Sequence, residues 1–476
     1  MAAKIGYAAA AALTALVVAV SLTGYAVYRH LDGNLHVTAV SGLADRPDYG
    51  VQNILVLGSQ TRDGQGRGFG YDPGTNLSDN LILVHLNATH TRAIVVSIPR
   101  DTLVYEPACK ARVGGGIVPA IPDAMIDWAM SYGGPSCAVA TVKLLTHIKI
   151  DHFVEFDFNS FRALVDTLGG VKVCVPPGGY DDPWSRLKIA GGEHLITGNQ
   201  ALAFVRTRHG VGNGGDLGRI QLQQEFISSL VQKLESQGTL ADPVKLYEIA
   251  DTATKALTVD PGLASIPKLL HLAETLKNLH TRDVTFITMP TIVDPADTNR
   301  LLTAEPTDDV LWQLLKSDRT WPGQLRGRPA GKVQLTVLNG TGITGLAGRT
   351  AHQLEKLGFR VTGVGNAPAT SATTVTYQSS AQAGSAWTVM NALQQAPAAQ
   401  GDVSGPVTLT IGADFGGVQA LAARPAGRHQ HGRHARSASS QQVSNASLQS
   451  GVQTRNAAAN ICSAMPAANP DVGTPP

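Results

Sequence analysis

The sequence predicts an α/β fold: a layered domain around a central mixed sheet, followed by a second, smaller α/β domain. Two observations carry that reading. Short apolar runs that read as strands alternate with amphipathic stretches of helical period from Val51 to about Leu314, and the same alternation resumes from Val333 to about Phe415. Between them, Trp321–Lys332 is rich in Gly, Pro and Arg and reads as a linker.

Taken in order, Lys4 is followed by an apolar run from Ile5 to Tyr28 whose polar interruptions are Ser and Thr. That is about the length of one spanning helix, and no clear small-x-small cleavage site follows it. Residues 1–30 are therefore expected to be a retained, single-pass signal anchor, with the catalytic bulk extracytoplasmic. Lys4 and Arg29 flank the run and favour opposite orientations, so charge adds little. Residues 31–49 read as a stalk, 50–314 as the main domain, 315–332 as the linker and 333–416 as the second domain.

Within the main domain, Val51–Leu57 is a strand candidate ending in Gly58-Ser59, and a Gly-rich loop spans Asp63–Gly74. Leu81–Leu86 and Ala93–Ile98 are expected to pair as a hairpin through the polar turn Asn87–Arg92. Pro122–Tyr132 and Ala138–Leu145 read as helices and Ile150–Phe158 as a strand. Ser160–Leu168 reads as a helix stopped by Gly169-Gly170, with the strand Val171–Val175 behind it. Leu217–Gln237 is a long amphipathic helix with Phe226, Ile227, Leu230, Val231 and Leu234 on its apolar stripe. The second domain is read as strand Val333–Leu338, turn Asn339-Gly340, helix Leu346–Leu357, strand Phe359–Gly363, a helix near Ala386–Leu393 and strand Val407–Ile411. Residues 424–476 hold almost no large apolar side chain and are expected to be a disordered tail.

Composition narrows the function classes. The hydrophobic fraction of 43% supports a sizeable core, whereas the net charge of +2 gives no basic field for nucleic acid. Cys109, Cys137, Cys174 and Cys462 form no CxxC pair and no His sits at zinc-finger spacing, which argues against a thiolate metal site. Outside the cytoplasm they can oxidise. Cys109 with Cys137 is the expected pair, with Cys174 the alternative partner of Cys137.

Four groups carry chemistry. Arg100 and Asp101, in Ser97-Ile98-Pro99-Arg100-Asp101, follow the end of a strand, where α/β sheets bind ligands. Asp79, in Ser78-Asp79-Asn80, precedes the strand paired with it and so sits at the same end. Phe204-Val205-Arg206-Thr207-Arg208 reads as an extended strand whose Phe204, Arg206 and Arg208 share one face, apolar turning cationic. Asp216, Arg219 and Gln223 sit on or just before the long helix, and their spacing puts Arg219 and Gln223 on one face. Each has a plain alternative: a surface ion pair, an Asx turn, an exposed basic strand end, a helix cap. His209 reads as a loop residue without a role. Arginines with carboxylates, without a Ser–His–Asp order or paired metal-binding histidines, point to phosphate chemistry: Arg forks for a diphosphate, Asp for a hard cation.

Together, Asn53–Gly58, Ser78-Asp79, Ser97–Asp101, Ile150-Asp151-His152, Leu168-Gly169-Gly170-Val171 and the ordered set Gln200-Ala201-Leu202, Arg206-Thr207-Arg208, Asp216, Arg219, Gln223 resemble the motifs of the LytR–CpsA–Psr family over residues 50–235. Val337–Gly342 and Gly345-Leu346-Ala347 resemble the small LytR C-terminal domain. The resemblance implies a hydrophobic tunnel for a polyprenyl tail and a phosphotransferase that attaches a glycopolymer from a polyprenyl diphosphate to peptidoglycan. Its partners would be that lipid-linked glycan, peptidoglycan and membrane lipid, and its cofactor Mg²⁺, or Mn²⁺ in its place. It places Arg100, Arg206, Arg208, Arg219 and Gln223 on the diphosphate, Asp79, Asp101 and Asp216 on the metal, and Arg100, Asp101 and Asp79 in catalysis. A non-catalytic wall-binding or regulatory membrane protein and a polyprenyl diphosphate pyrophosphatase are the other readings. The chain departs from the family pattern at Gln60, where Asp is common, and at Leu77 and Leu222, where Arg is. Val154, Phe156, Phe158, Phe161, Leu164 and Val165 offer more apolar surface than a short sheet needs and are candidates for the tunnel wall or for plain core.

Overall fold

The computed structural model describes residues 2–44, 50–59, 78–112, 114–212, 214–235, 242–276, 279–304, 307–318, 328–378, 380–390, 392–394, 398–400, 405–419, 452–462 and 465–466. Gln60, the loop Asp63–Gly74 and Leu77 lie outside them, as does most of 424–476. Contacts divide the chain into two compact units, Met1–Thr288 with Arg455–Pro476, and Met289–Thr454.

The first unit carries α1 (Ala2–Gly33), β1 (His36–Val37), β2 (Gln52–Ser59), β3 (Ser78–Leu86), β4 (Ala93–Ile98), α2 (Trp128–Thr146), β5 (His152–Phe156) and α3 (Phe158–Thr167). It continues through α4 (Gly198–Arg206), α5 (Asp216–Glu235), α6 (Pro243–Ala256), β6 (Leu257–Val259) and β7 (Val284–Thr288). The second unit carries β8 (Gln334–Asn339), α7 (Leu346–Lys356), β9 (Arg360–Asn366), β10 (Thr374–Thr376), α8 (Ser380–Met390), β11 (Ala398–Gln400) and β12 (Val407–Ile411). At β13 (Thr454–Asn456) the chain returns to the first unit.

Among the described residues the main sheet runs in the order β1-β6-β5-β2-β3-β4-β7-β13. The β3–β4 hairpin forms as its pattern predicts, with Leu81 opposite Ile98 and Leu86 opposite Ala93. Asn87 shapes its turn by accepting the N–H groups of Thr91 and Arg92, each at 2.9 Å. Parallel partners flank the hairpin, β5 beside β2 and β7 beside β4, so the sheet is mixed. Every residue of β4 is buried, which is why that strand reads as a continuous apolar run rather than an alternation. Helix α3 begins at Asp157, whose carboxylate accepts the N–H of Ser160 (2.7 Å). It ends at Gly169 and Gly170, with φ of 72° and 86°. A Cβ on Gly170 would stand 2.7 Å from Thr197 Cγ2, so only glycine lets the strand Val171–Val175 leave this close to its neighbour.

Three expectations are corrected. Pro122–Met125, read as the start of the helix Pro122–Tyr132, belongs to a strand, Ile121–Met125, paired with Leu103–Glu106, and the helix starts at Trp128. That helix is broken at Gly134 (φ 66°, ψ −159°): Pro135 disfavours helical backbone in the residue before it, and glycine alone adopts this positive φ at little cost. Phe204–Arg206, read as extended, closes helix α4; Ala201, Phe204 and Val205 at helical spacing bury into one core cluster, and the backbone turns extended at Thr207. Helix Thr307–Lys316, at the end of the stretch read as the main domain, is grouped by contacts with the second unit, where Tyr377 donates its hydroxyl to Asp309 (2.8 Å); this regrouping leaves the expected boundary at 314 as it stands.

The third correction concerns the tail. Within 424–476, β13 sits at the sheet edge beside β7, and Ala457 N–H donates to Val284 O (3.0 Å). Gln232 donates to Ala457 O (2.6 Å), and Cys462 is disulfide-bonded to Cys174. Backbone hydrogen bonds and a covalent link order this piece without large apolar side chains, which composition cannot register. Arg455 lies near Glu225, which is fully buried on α5 and accepts Cys174 N–H (2.8 Å). Burial pushes the Glu225 carboxyl up to about 7, and the Cys174 N–H and Arg455 oppose that rise. Cys109 pairs with Cys137 as expected, while Cys174 takes the distant Cys462.

In the second unit the strands run β9-β8-β12-β10-β11, with β8 parallel to both neighbours. Strands β10 and β11 are additions to the sequence reading. Helix α1 presents Leu13, Leu16, Val17, Val20 and Leu22 outward. Among the described residues no helix is long and apolar enough to cross a membrane; the α1 side chains before Leu13 lie outside them.

Candidate active site

The site lies at the carboxyl end of β4. There the chain passes Pro99 into Arg100 and Asp101, and the N–H of Arg100 donates to Asp216 Oδ2 (3.1 Å) in the first turn of α5. Asp216 thus ties the loop to the helix. Its Oδ1 meets Arg219 Nη2 one turn on, and Arg100 Nε stands 4.0 Å away. Asp101 fills the gap between two cations, 3.3 Å from Arg100 Nε and 3.2 Å from Arg208 Nη2. Two carboxylates therefore hold three guanidiniums in one place. Arg206 joins them from the end of α4, its guanidinium 4.5 Å above the Phe158 ring. Burial, then Arg100 and Arg219, hold the Arg208 guanidinium below the usual arginine range, with Asp101 and Asp216 opposing. Positive charge exceeds negative here, and a bound anion would relieve it.

Gln223 and Gln224 set the frame. Gln223 donates to Val205 O (2.9 Å), satisfying a carbonyl in the last turn of α4 beside Arg206. Gln224 donates to Ser97 Oγ and Thr288 Oγ1, both at 3.2 Å, and so pins α5 to β4 and β7.

Sequence reasoning missed Asp182, Trp184 and the place of His209. Asp182 is 1% exposed. Its Oδ1 accepts the N–H of Trp184 (2.9 Å) and Ser185 (3.3 Å), its Oδ2 those of Arg208 (2.9 Å) and His209 (3.2 Å). Trp184 stacks on the His209 ring with centroids 4.0 Å apart. Asp182-Pro183 does carry an Asx-turn signal, but nothing local links that turn to Arg208.

These side chains surround a polar pocket of about 190 Å³ lined by Arg100, Arg206, Arg208, Arg219, Trp184 and His209, among others. A second, apolar cavity of about 310 Å³ begins at Arg206, Arg219 and Gln223. It runs between the sheet (Val56, Ile82, Val84, Val95) and the helices (Phe158, Phe161, Leu164, Leu202, Phe226, Leu230), reaching Ala256 and Leu257. Of the proposed tunnel wall, Phe156, Phe158, Phe161 and Leu164 line it; Val165 packs in a core cluster and Val154 against the sheet. Phe226, Ile227 and Leu230, expected as core stripe, line it too.

The metal set is less complete. Among the described residues no group of three His, Cys, Asp or Glu side chains converges on a cation position. Asp101 and Asp216 turn their oxygens to guanidiniums. Asp79 lies in β3 beside a shift in the β2–β3 register, and its side chain is outside the described residues. The described donors alone do not fit a Mg²⁺ site.

The chain is similar in sequence to known proteins. The profile of the LytR_cpsA_psr family matches residues 15–314, and that of the LytR cell envelope-related transcriptional attenuator matches residues 332–415. The cell wall biosynthesis protein LcpA of Corynebacterium glutamicum is 30% identical over 403 residues, 75% of each chain. The polyisoprenyl-teichoic acid–peptidoglycan teichoic acid transferase TagT of Bacillus subtilis is 29% identical over 238 residues, 49% of this chain and 67% of that one. A solved structure of the family protein YwtF (TagT) with bound octaprenyl pyrophosphate lipid superposes with a TM-score of 0.41 at 21% identity, over 59% of this chain and 98% of that one.

Proposed function

The chain belongs to the LytR–CpsA–Psr family, and on that premise we propose that it is a phosphotransferase moving a glycopolymer from a polyprenyl diphosphate to peptidoglycan. One observation carries the reading: Arg206 and Arg219 line both the polar pocket and the apolar cavity. A prenyl chain in the cavity would deliver its diphosphate among the guanidiniums of Arg100, Arg206, Arg208 and Arg219, which suit phosphate oxygens. The relative TagT, a polyisoprenyl-teichoic acid–peptidoglycan teichoic acid transferase, supports the reaction class.

In the reaction a peptidoglycan hydroxyl attacks the sugar-linked phosphorus, and polyprenyl phosphate leaves. Arg100, Arg208 and Arg219, already held in place by Asp101 and Asp216, meet the charge that gathers on the leaving group. A Mg²⁺ or Mn²⁺ ion, were it held by Asp79 and Asp101 together with oxygens of the diphosphate itself, would help neutralise the diphosphate charge. Two disulfides support an oxidising compartment, and the outward apolar residues of α1 support a membrane anchor with the catalytic unit outside the cytoplasm. Mass analysis of muramic acid phosphodiesters in walls from cells with and without the protein tests the function. The phosphodiester should fall in its absence; an unchanged amount, with no other carrier-linked product affected, rejects the reading.

A further inference from the structure

Resting on the phosphotransferase reading, we infer that His209, oriented by Asp182, is the general base that takes the proton from the acceptor hydroxyl. His209 directly follows Arg208 and lines the same pocket as the guanidiniums. Its backbone N–H is bound to Asp182 Oδ2, and its ring Nδ1 is buried 3.6 Å from Asp182 Oδ1. That separation is longer than a hydrogen bond, but such pairs tighten when substrate arrives. Once closed, an Nδ1–H bond to Asp182 leaves the lone pair on Nε2, the nitrogen turned away from the carboxylate. Trp184, stacked on the ring, fixes its plane.

The other acids of the pocket are committed. Asp101 and Asp216 face guanidiniums, and the oxygens of Asp182 already accept backbone N–H groups. Among the described lining residues, His209 is the nitrogen base. In the step, the hydroxyl proton passes to His209 Nε2 as the oxygen–phosphorus bond forms. The bond from phosphorus to the bridging oxygen breaks, its electron pair leaves on polyprenyl phosphate, and the proton later goes to water. Asp182 acts through His209 and is a positioning residue.

The charged groups around the ring come from separate elements: Asp182 from the Tyr180–Ile189 hairpin, Arg208 from its own segment, Arg206 from α4, Arg219 with Asp216 from α5, and Arg100 with Asp101 from the loop after β4. A pH profile must therefore be read against variants. The test uses the full chain, a prenyl diphosphate-linked N-acetylglucosamine as donor and peptidoglycan fragments as acceptor. His209→Gln should lower kcat by about 10²- to 10³-fold, leave donor KM nearly unchanged and remove the acidic limb of the pH–rate profile. Added imidazole should restore part of the activity of His209→Ala. Asp182→Asn should lower kcat less and displace the acidic limb. Wild-type kcat and pH profile in His209→Gln overturn the inference, and so does a loss confined to donor affinity. Absence of transfer by the wild type overturns the phosphotransferase reading beneath it instead, and this inference with it.

Discussion

In the polar pocket Asp216 touches Arg219 and the Arg100 backbone, Asp101 touches Arg100 and Arg208, and Asp182 fixes the backbone that carries Arg208. The apolar cavity, which starts from the same Arg206 and Arg219, is walled mostly by Val, Ile, Leu and Phe. The difference lies in how error is tolerated. A wall residue can lose a methylene for roughly 1 kcal/mol. A member of the Asp216–Arg219 or Asp101–Arg100–Arg208 set is costly to lose singly, because its buried partner is left charged at a cost of about 3–5 kcal/mol.

The largest expected effect breaks the comparison if it fails. Arg219→Ala leaves the buried Asp216 carboxylate short of its nearest guanidinium and should cost about 3–5 kcal/mol in urea unfolding, together with most of the activity. Adding Asp216→Asn should return much of the stability and none of the activity. An unchanged urea midpoint in the single variant would mean that the pocket is no more interdependent than the cavity.

Glu225 sharpens the comparison: it neighbours Phe226 on α5, and burial of its carboxyl outweighs the opposing Cys174 N–H and Arg455. Its carboxyl is pushed from about 4.5 to about 7, above its unfolded value, so its contribution is fully present below about 4.5 and is lost as pH rises through about 7. Relative to Glu225→Gln, the wild type should lose up to about 3 kcal/mol between those limits. Glu106, also raised to about 7 by burial, moves stability in the same direction, so the difference between wild type and variant is the quantity to read. Parallel pH curves for the two proteins would show Glu225 to be as well partnered as Asp216.

A smaller effect isolates the cavity. Leu230→Trp, at a half-buried wall position, should weaken a long-chain prenyl diphosphate about tenfold, the worth of roughly two buried methylenes, and leave inorganic pyrophosphate unaffected in calorimetric titration. Equal losses for both ligands would mean that pocket and cavity are not separable.

How much of this was legible in sequence follows the same division. Arg100, Arg206, Arg208 and Arg219 stand out because several arginines beside apolar strands need an anion to explain them. Asp182 escapes because its tie to Arg208 is made only when the hairpin Tyr180–Ile189 folds back. Helix α4 was misread because Phe204, Arg206 and Arg208 alternate, while the helical spacing of Ala201, Phe204 and Val205 decides the backbone. Cavity and core look alike in sequence: the stripe of α5 gives an apolar face at Phe226, Ile227 and Leu230, but not whether a neighbour fills the space against it. The metal ligands stay a reading of residue type, since the Asp79 side chain and Gln60 lie outside the described residues.

The return of β13 to the sheet of the first unit, sealed by Cys174–Cys462, also sets a clock. All of Met289–Thr454 must be made before Arg455 and Cys462 exist to complete the first unit. At ~5–20 residues per second that wait is roughly ten to thirty seconds, during which the outer edge of β7 has no β13 beside it and Cys174 has no Cys462 to pair with. Throughout that interval Cys174 can form a non-native disulfide with Cys109 or Cys137, or a mixed disulfide with another nascent chain. An oxidant that acts late, or an isomerase that undoes early errors, would therefore govern how much of the protein matures.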